Sequence, residues 1–417
     1  VAADITRDDN RRLVVDGRPV DLADPDLYAT GDPLPVWAWL RRNAPVFRNP
    51  PTAQLPSGFW ALTKYQDQVA VLRNTRDFTS TTGMLLGHQD DAALAASGRM
   101  LVVTDPPLHT KLRHILAPVF GPRMMARLRD SLTATIGGLV RERVDAGEFD
   151  FVSEIAARIP TTVVCDLMGV PRQDWAWMSR LTSSAFGWEL DDGRPATRAE
   201  REAGNAEIYL YYLELIPARR ADPGDDVISA LVSGLVDGRR LSDEDVMLNC
   251  GGIVTAGNET TRHASAGAVL AFSEFGAEWA ALRASEVALE PAVEEILRWT
   301  TPGLHVLRTC TGSVEIRGVT IDPGEVVTLW TPSANRDEDL FEAPDVLRLG
   351  RTPNRHLTFG LGAHYCLGAA LARLELAVLI DQLRTHVGRI DLAGPYLRLP
   401  DTFLWGFGRM PVRFTSR

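Results

Sequence analysis

Lysine is almost missing from this 417-residue chain. Only Lys64 and Lys111 occur, and arginine supplies the rest of the positive charge. With a formal net charge of −10, the balance excludes a generally basic surface. It therefore excludes nucleic acid as the main partner, because neutralising phosphates needs clustered cations. No apolar run approaches the roughly 18 residues that a spanning helix requires, so no membrane segment is expected. The opening residues, VAADITRDDNRR, have neither the apolar core nor the small-residue cleavage site of a signal peptide. A cytoplasmic protein is the expectation. Cysteine is scarce too: Cys165, Cys250, Cys310 and Cys366, none in C-x-x-C spacing, which excludes a zinc cage or a redox dithiol. The first three lie in apolar helical or strand-like stretches and read as small buried hydrophobes. No strand–G-x-G-x-x-G–helix unit is present, and no internal repeat.

What remains is mostly helical. Amphipathic patterns run near 64–73, 107–120, 123–146, 153–168, 172–186 and 198–220. The longest helix is expected to start at Ser242, a capping residue followed by Asp243, Glu244 and Asp245 at the positive end of the dipole, and to run to about Phe272. Such a length spans roughly 45 Å. Another begins near Pro291, and a last long helix is expected from Cys366 past Leu383. Alternation around turns makes two stretches β-rich, about 10–63 and 303–335. The expected fold is one mainly α domain, 1–417, with a smaller β-rich part.

The segment 359–368, FGLGAHYCLG, is the most informative. Gly360 and Gly362 free the backbone to lie flat against a planar group, and Gly368 leaves neighbouring N–H groups able to reach a sulfur. At a helix start, unpaired N–H groups and the dipole favour Cys366 as thiolate. A soft thiolate of this kind suits an axial metal ligand. On the long helix, AGNETT at 256–261 sets an acid and an alcohol, Glu259 and Thr260, side by side beside Gly257. Adjacent helical residues do not share a face, so a local opening of the helix is expected there.

This combination resembles the cytochrome P-450 superfamily, in its soluble bacterial branch. The loop fits F-G-x-G-x-H-x-C-x-G at every fixed position, Glu295 and Arg298 fit E-x-x-R with Arg351 as third member, and TDPPLHTKLR at 104–113 resembles the haem-clamping helix start. Leu108, the pair Leu347 and Arg348, and Arg355 depart from the usual residues without touching the chemistry. The resemblance implies a long central helix over haem b (iron protoporphyrin IX), with Cys366 on the iron. It implies contacts to the cofactor from Ala256, Gly257, Phe359, Gly360 and Gly368, and binding of the propionates by His109, Arg113, Arg308 and His364. Thr260 is then expected to hydrogen-bond dioxygen while Glu259 feeds protons from solvent. His114 and His356 are expected to be structural, and His88, His263 and His386 to face solvent.

The activity so implied is a monooxygenase that hydroxylates or epoxidises a hydrophobic small molecule. Its electrons would come from a ferredoxin and ferredoxin reductase, since the chain carries no flavin or nicotinamide motif. By resemblance the pocket wall comes from 79–103, 182–188, 252–256, 303–306 and 404–407, rich in Met, Leu, Phe and Trp. A polyketide, peptide or terpenoid intermediate of secondary metabolism fits this branch, in some members held on a carrier protein. A steroid or fatty-acid hydroxylase, a peroxide-driven enzyme and a non-enzymatic haem-thiolate sensor are the alternatives.

Overall fold

The computed structural model describes residues 5–7, 13–15, 18–52, 55–86, 95–190 and 193–417. His88 and part of the 79–103 wall lie outside them. The helices that matter here are α1 (Pro33–Asn43), α2 (Leu108–Leu116), α3 (Pro122–Arg143), α4 (Arg158–Met168), α5 (Trp175–Ala185), α6 (Arg198–Ala221), α7 (Asp243–Glu274), α8 (Leu289–Thr300) and α9 (Ala369–His386). The strands are β1 (Val46–Asn49), β2 (Phe59–Leu62), β3 (Phe78–Thr79), β4 (Glu148–Asp150), β5 (His305–Cys310), β6 (Val326–Trp330), β7 (Val387–Leu392) and β8 (Pro411–Ser416).

Helix α7 starts as its sequence dictates. Asp245 N–H donates to Ser242 Oγ at 3.1 Å and Ser242 N–H donates back to Asp245 Oδ2 at 3.2 Å, so two terminal donors are satisfied reciprocally. From there 32 residues run without a break, about 48 Å at the helical rise. The helix packs on α4, α5, α6, α8 and α9. Its second half is buried all round from Thr261 to Phe272, as a helix through the middle of a core must be.

A five-stranded sheet in the order β1-β2-β6-β5-β3 joins the N-terminal part to the stretch after α8. Val327 pairs with Trp60 in parallel and with Arg308 in antiparallel register. The structure departs from the β-rich ranges expected from sequence in two places. α1 is a helix inside the first of them, started by Pro33 in its first turn and by Asp32 Oδ1, which accepts from Leu34 N–H at 3.0 Å. β7, β8 and β4 form a further sheet, held by pairing over more than 260 residues of chain, which no local pattern announces. Among the described residues no helix is long and apolar enough to cross a membrane.

Candidate active site

The cysteine loop is set by backbone bonds. Cys366 N–H donates to Phe359 O at 2.9 Å and Gly360 N–H to Leu357 O at 2.7 Å. Gly362 has φ +74°, and a Cβ there would come within 2.6 Å of Leu72 O, so only glycine fits. Contrary to the expectation from sequence, the helix starts at Ala369 with Gly368 as its cap, leaving Cys366 outside the first turn. The dipole falls off within that turn, so it does little for the sulfur. Burial raises the Cys366 thiol, against which work Gly368 N–H, donating to the sulfur, and the charges of Arg113 and Arg373. A bound metal cation deprotonates such a thiol outright.

Around the loop stand two arginines and two histidines, the charge of Asp105 reaching Arg308 and His109 without an ion pair. Arg308 and His109 are 7% and 1% exposed. The rings of His109 and His364 lie 4.2 Å apart. Both nitrogens of His109 are buried with no hydrogen-bond partner. Arg308 Nη1 donates to Leu307 O at 2.7 Å, and among the described residues no carboxylate pairs with Arg308 or Arg113. Burial lowers Arg308 to about 10, opposed by Asp105, and lowers His364 to about 3, helped by Arg308, His109 and Arg113. Buried cations call for counter-charges. A dianionic planar cofactor lying on a cysteine loop meets both demands, so the residues fit a haem.

Between its exposed ends, α7 is least covered in its middle turns: Ala256 is exposed, and Gly252, Ile253, Thr255, Gly257 and Thr260 are half-buried. The glycine at 257 admits α4, since a Cβ there would lie 2.8 Å from Val164 Cγ2. The expected opening of the helix does not occur. Instead Thr260 Oγ1 donates to Ala256 O at 3.0 Å and Asn258 Nδ2 to Val254 O at 3.0 Å. Glu259 points elsewhere, 1% exposed, and is bonded to Arg262 on the next turn, so it has no direct route to solvent. Burial raises its carboxyl above the ordinary range against the pull of Arg262. His263, expected at the surface, is 1% exposed beside it.

The wall residues divide. Met84, Met100, Phe186, Ile253 and Val306 are half-buried, whereas Val254, Leu304, Trp405 and Phe407 belong to core clusters. Val306 and Arg308 alternate along β5 and so share one face of the sheet. Glu295 binds Arg298 Nε at 2.8 Å and Arg351 Nε at 3.1 Å, and also accepts from Arg348 N–H and Asn354 Nδ2, each at 3.0 Å. This buried cluster ties α8 to the segment leading into the cysteine loop.

Residues 287–384 match the family model for Cytochrome P-450. Over 397 residues the chain is 37% identical to cytochrome P-450 NovI of Streptomyces niveus, covering 95% of this chain and 97% of that protein. The chain belongs to the cytochrome P-450 family. It is also 36% identical over 409 residues to a methyl-branched lipid omega-hydroxylase of Mycobacterium tuberculosis, covering 95% of each. The crystal structure of P-450 OxyD, involved in the biosynthesis of vancomycin-type antibiotics, matches with TM-score 0.87 and 39% identity, over 95% of this chain and 100% of that one. As a P-450 monooxygenase, the protein has haem iron for a cofactor, hydrophobic substrates and separate redox partners.

Proposed function

We propose that this P-450 hydroxylates or epoxidises a polyketide, peptide or terpenoid intermediate of secondary metabolism, taking electrons from a ferredoxin. When bound, haem b supplies dioxygen activation at its iron. Cys366 is the residue to hold that iron, and the group of His109, Arg113, Arg308 and His364, with no carboxylate bonded to either arginine among the described residues, is what favours two propionates beside it. Gly360 and Phe359 shape the loop, Gly368 N–H tunes the sulfur, and Ala256 leaves α7 low where a flat cofactor needs room, with Gly257 beside it letting α4 close on the helix. Thr260, half-buried on that strip, presents its hydroxyl to the reacting side. Glu259, one residue before it and buried, has its carboxyl raised by that burial, which favours its holding a proton for transfer. Met84, Met100, Phe186, Ile253 and Val306 present an apolar surface that orients substrate through shape more than through polar contacts.

The similarity to NovI and to OxyD, the latter named for antibiotic biosynthesis, carries the substrate class. The likenesses to a lipid omega-hydroxylase and to a steroid C26-monooxygenase of Rhodococcus jostii favour fatty acids or sterols as the second reading. Titration with macrolides, aryl polyketides, carrier-bound amino acids, sterols and fatty acids, followed by the haem spectrum, separates them. Tight binding and turnover confined to sterols or fatty acids would overturn the first.

A further inference from the structure

Helix α7 carries, one turn past Glu259, two buried polar side chains that the reading above leaves unused. Arg262 and His263 are each 1% exposed. Arg262 Nη2 is bonded to Glu259 Oε2, and Nη1 donates to Ser183 Oγ on α5 at 3.0 Å. His263 Nδ1 accepts from Phe407 N–H at 3.2 Å. A backbone amide only donates, so Nδ1 holds a lone pair and the neutral ring carries its proton on Nε2. That proton has no hydrogen-bond partner, and Nε2 lies 3.7 Å from Glu259 Oε2. Burial, with the charges of Arg262 and Arg398, keeps the ring neutral by holding it well below the ordinary histidine range. Asp401 is the other charged group felt by Glu259. The ring is also wedged from behind, since a Cβ on Gly406 would sit 2.6 Å from its Cδ2 and Nε2.

We propose that His263 is a positioning residue for Glu259. Its Nε2–H receives the carboxylate when Glu259 turns from Arg262, and the backbone of Gly406 and Phe407 fixes that donor in place. The step needs a shift of well under 1 Å to reach hydrogen-bond distance. It makes the 404–407 segment and the acid of α7 one mechanical unit, so that a ligand pressing on that segment alters where Glu259 delivers its proton. The proposal rests on Glu259 being the proton-delivering acid.

The test uses the haem-loaded enzyme and its ferredoxin system. Histidine 15N NMR of the diamagnetic ferrous carbon-monoxide form is expected to show one ring protonated at Nε2 and not at Nδ1, absent in His263→Phe and shifted in Glu259→Gln. His263→Phe should lower product per NAD(P)H by about tenfold, the loss that follows removal of one hydrogen bond to a charged group. Haem content and substrate affinity should stay as in the wild type, and His263→Gln, which restores an N–H donor, should recover most of the yield. Gly406→Ala, which displaces the ring without altering it, should uncouple as well and carries the kinetic arm should His263→Phe not fold. An Nδ1-protonated or doubly protonated ring overturns the proposal whatever the kinetics. Normal yield in His263→Phe beside an uncoupled Glu259→Gln overturns it while sparing the acid. Normal yield in Glu259→Gln removes the acid's role and the proposal together.

Discussion

Cys366 shows what residue types reveal and what they conceal. Its loop was legible because three glycines and a cysteine within ten residues report local backbone demands, and those demands are met within the loop itself. Its relation to the helix was not, because the difference between Cys366 and Ala369 as a start depends on where Gly368 turns. Replacing the sulfur by nitrogen, Cys366→His, is expected to retain haem but to lose the red-shifted band of the reduced carbon-monoxide adduct. A surviving thiolate-type spectrum would show that the ligand is elsewhere. Burial was hidden in a similar way at His263, whose partner Phe407 comes from distant chain. Glu375 is 1% exposed on α9, its Oε2 has no partner, and burial pushes its carboxyl well above the ordinary range. An acid whose folded pKa is raised stabilises the fold least at high pH: stability is intact below the unfolded value of about 4.3 and falls as pH climbs toward the folded one, by up to about 1.4 kcal/mol per pH unit. Glu375→Gln should therefore gain on the wild type between pH 5 and pH 8 in urea midpoint. An advantage independent of pH would reject this account.

Among elements, α7 was readable from its cap and α8 from its periodicity, since both signals are local. The register of β8 on β4 was not, because pairing partners so far apart leave only short alternating runs in the sequence. The E-x-x-R spacing placed Glu295 and Arg298 on one helical face and the resemblance supplied Arg351; the structure brings the three together and adds Arg348 N–H and Asn354 to the same carboxylate. With Glu295 and Arg298 both 0% exposed, removal of the carboxylate leaves two guanidiniums facing each other in the core. Glu295→Gln should cost about 3–5 kcal/mol in denaturant unfolding and lower haem retention with it. The same retention and midpoint as the wild type would mean that backbone bonds alone hold the segment before the cysteine loop.

At the scale of the whole molecule, electron delivery is expected from the cysteine side, where arginine must do the work of lysine. Arg355 is exposed there. Arg373, a natural companion from sequence, is engaged already: it pairs with Glu294 at 2.6 Å, donates to Tyr365 Oη at 3.0 Å and lies over Phe359 at 4.5 Å. Its reversal would disturb the loop itself, so Arg355→Glu is the cleaner probe. Reduction by an acidic ferredoxin should slow in that variant, by a factor that shrinks as salt rises. Equal, salt-independent rates in both proteins would place docking on another face. The five-stranded sheet carries one more consequence, for the order of synthesis. β1 and β2 are made early, yet β2 pairs with β6, whose first residue is Val326. β1 can pair with β2 at once, but the other edge of β2 must stay open during translation while more than 260 residues emerge, with closing such a loop costing entropy throughout. Cofactor capture shares the delay, for His109 and Arg113 are made long before Arg308 and His364. Haem uptake by a nascent chain thus marks the moment at which its two ends have met.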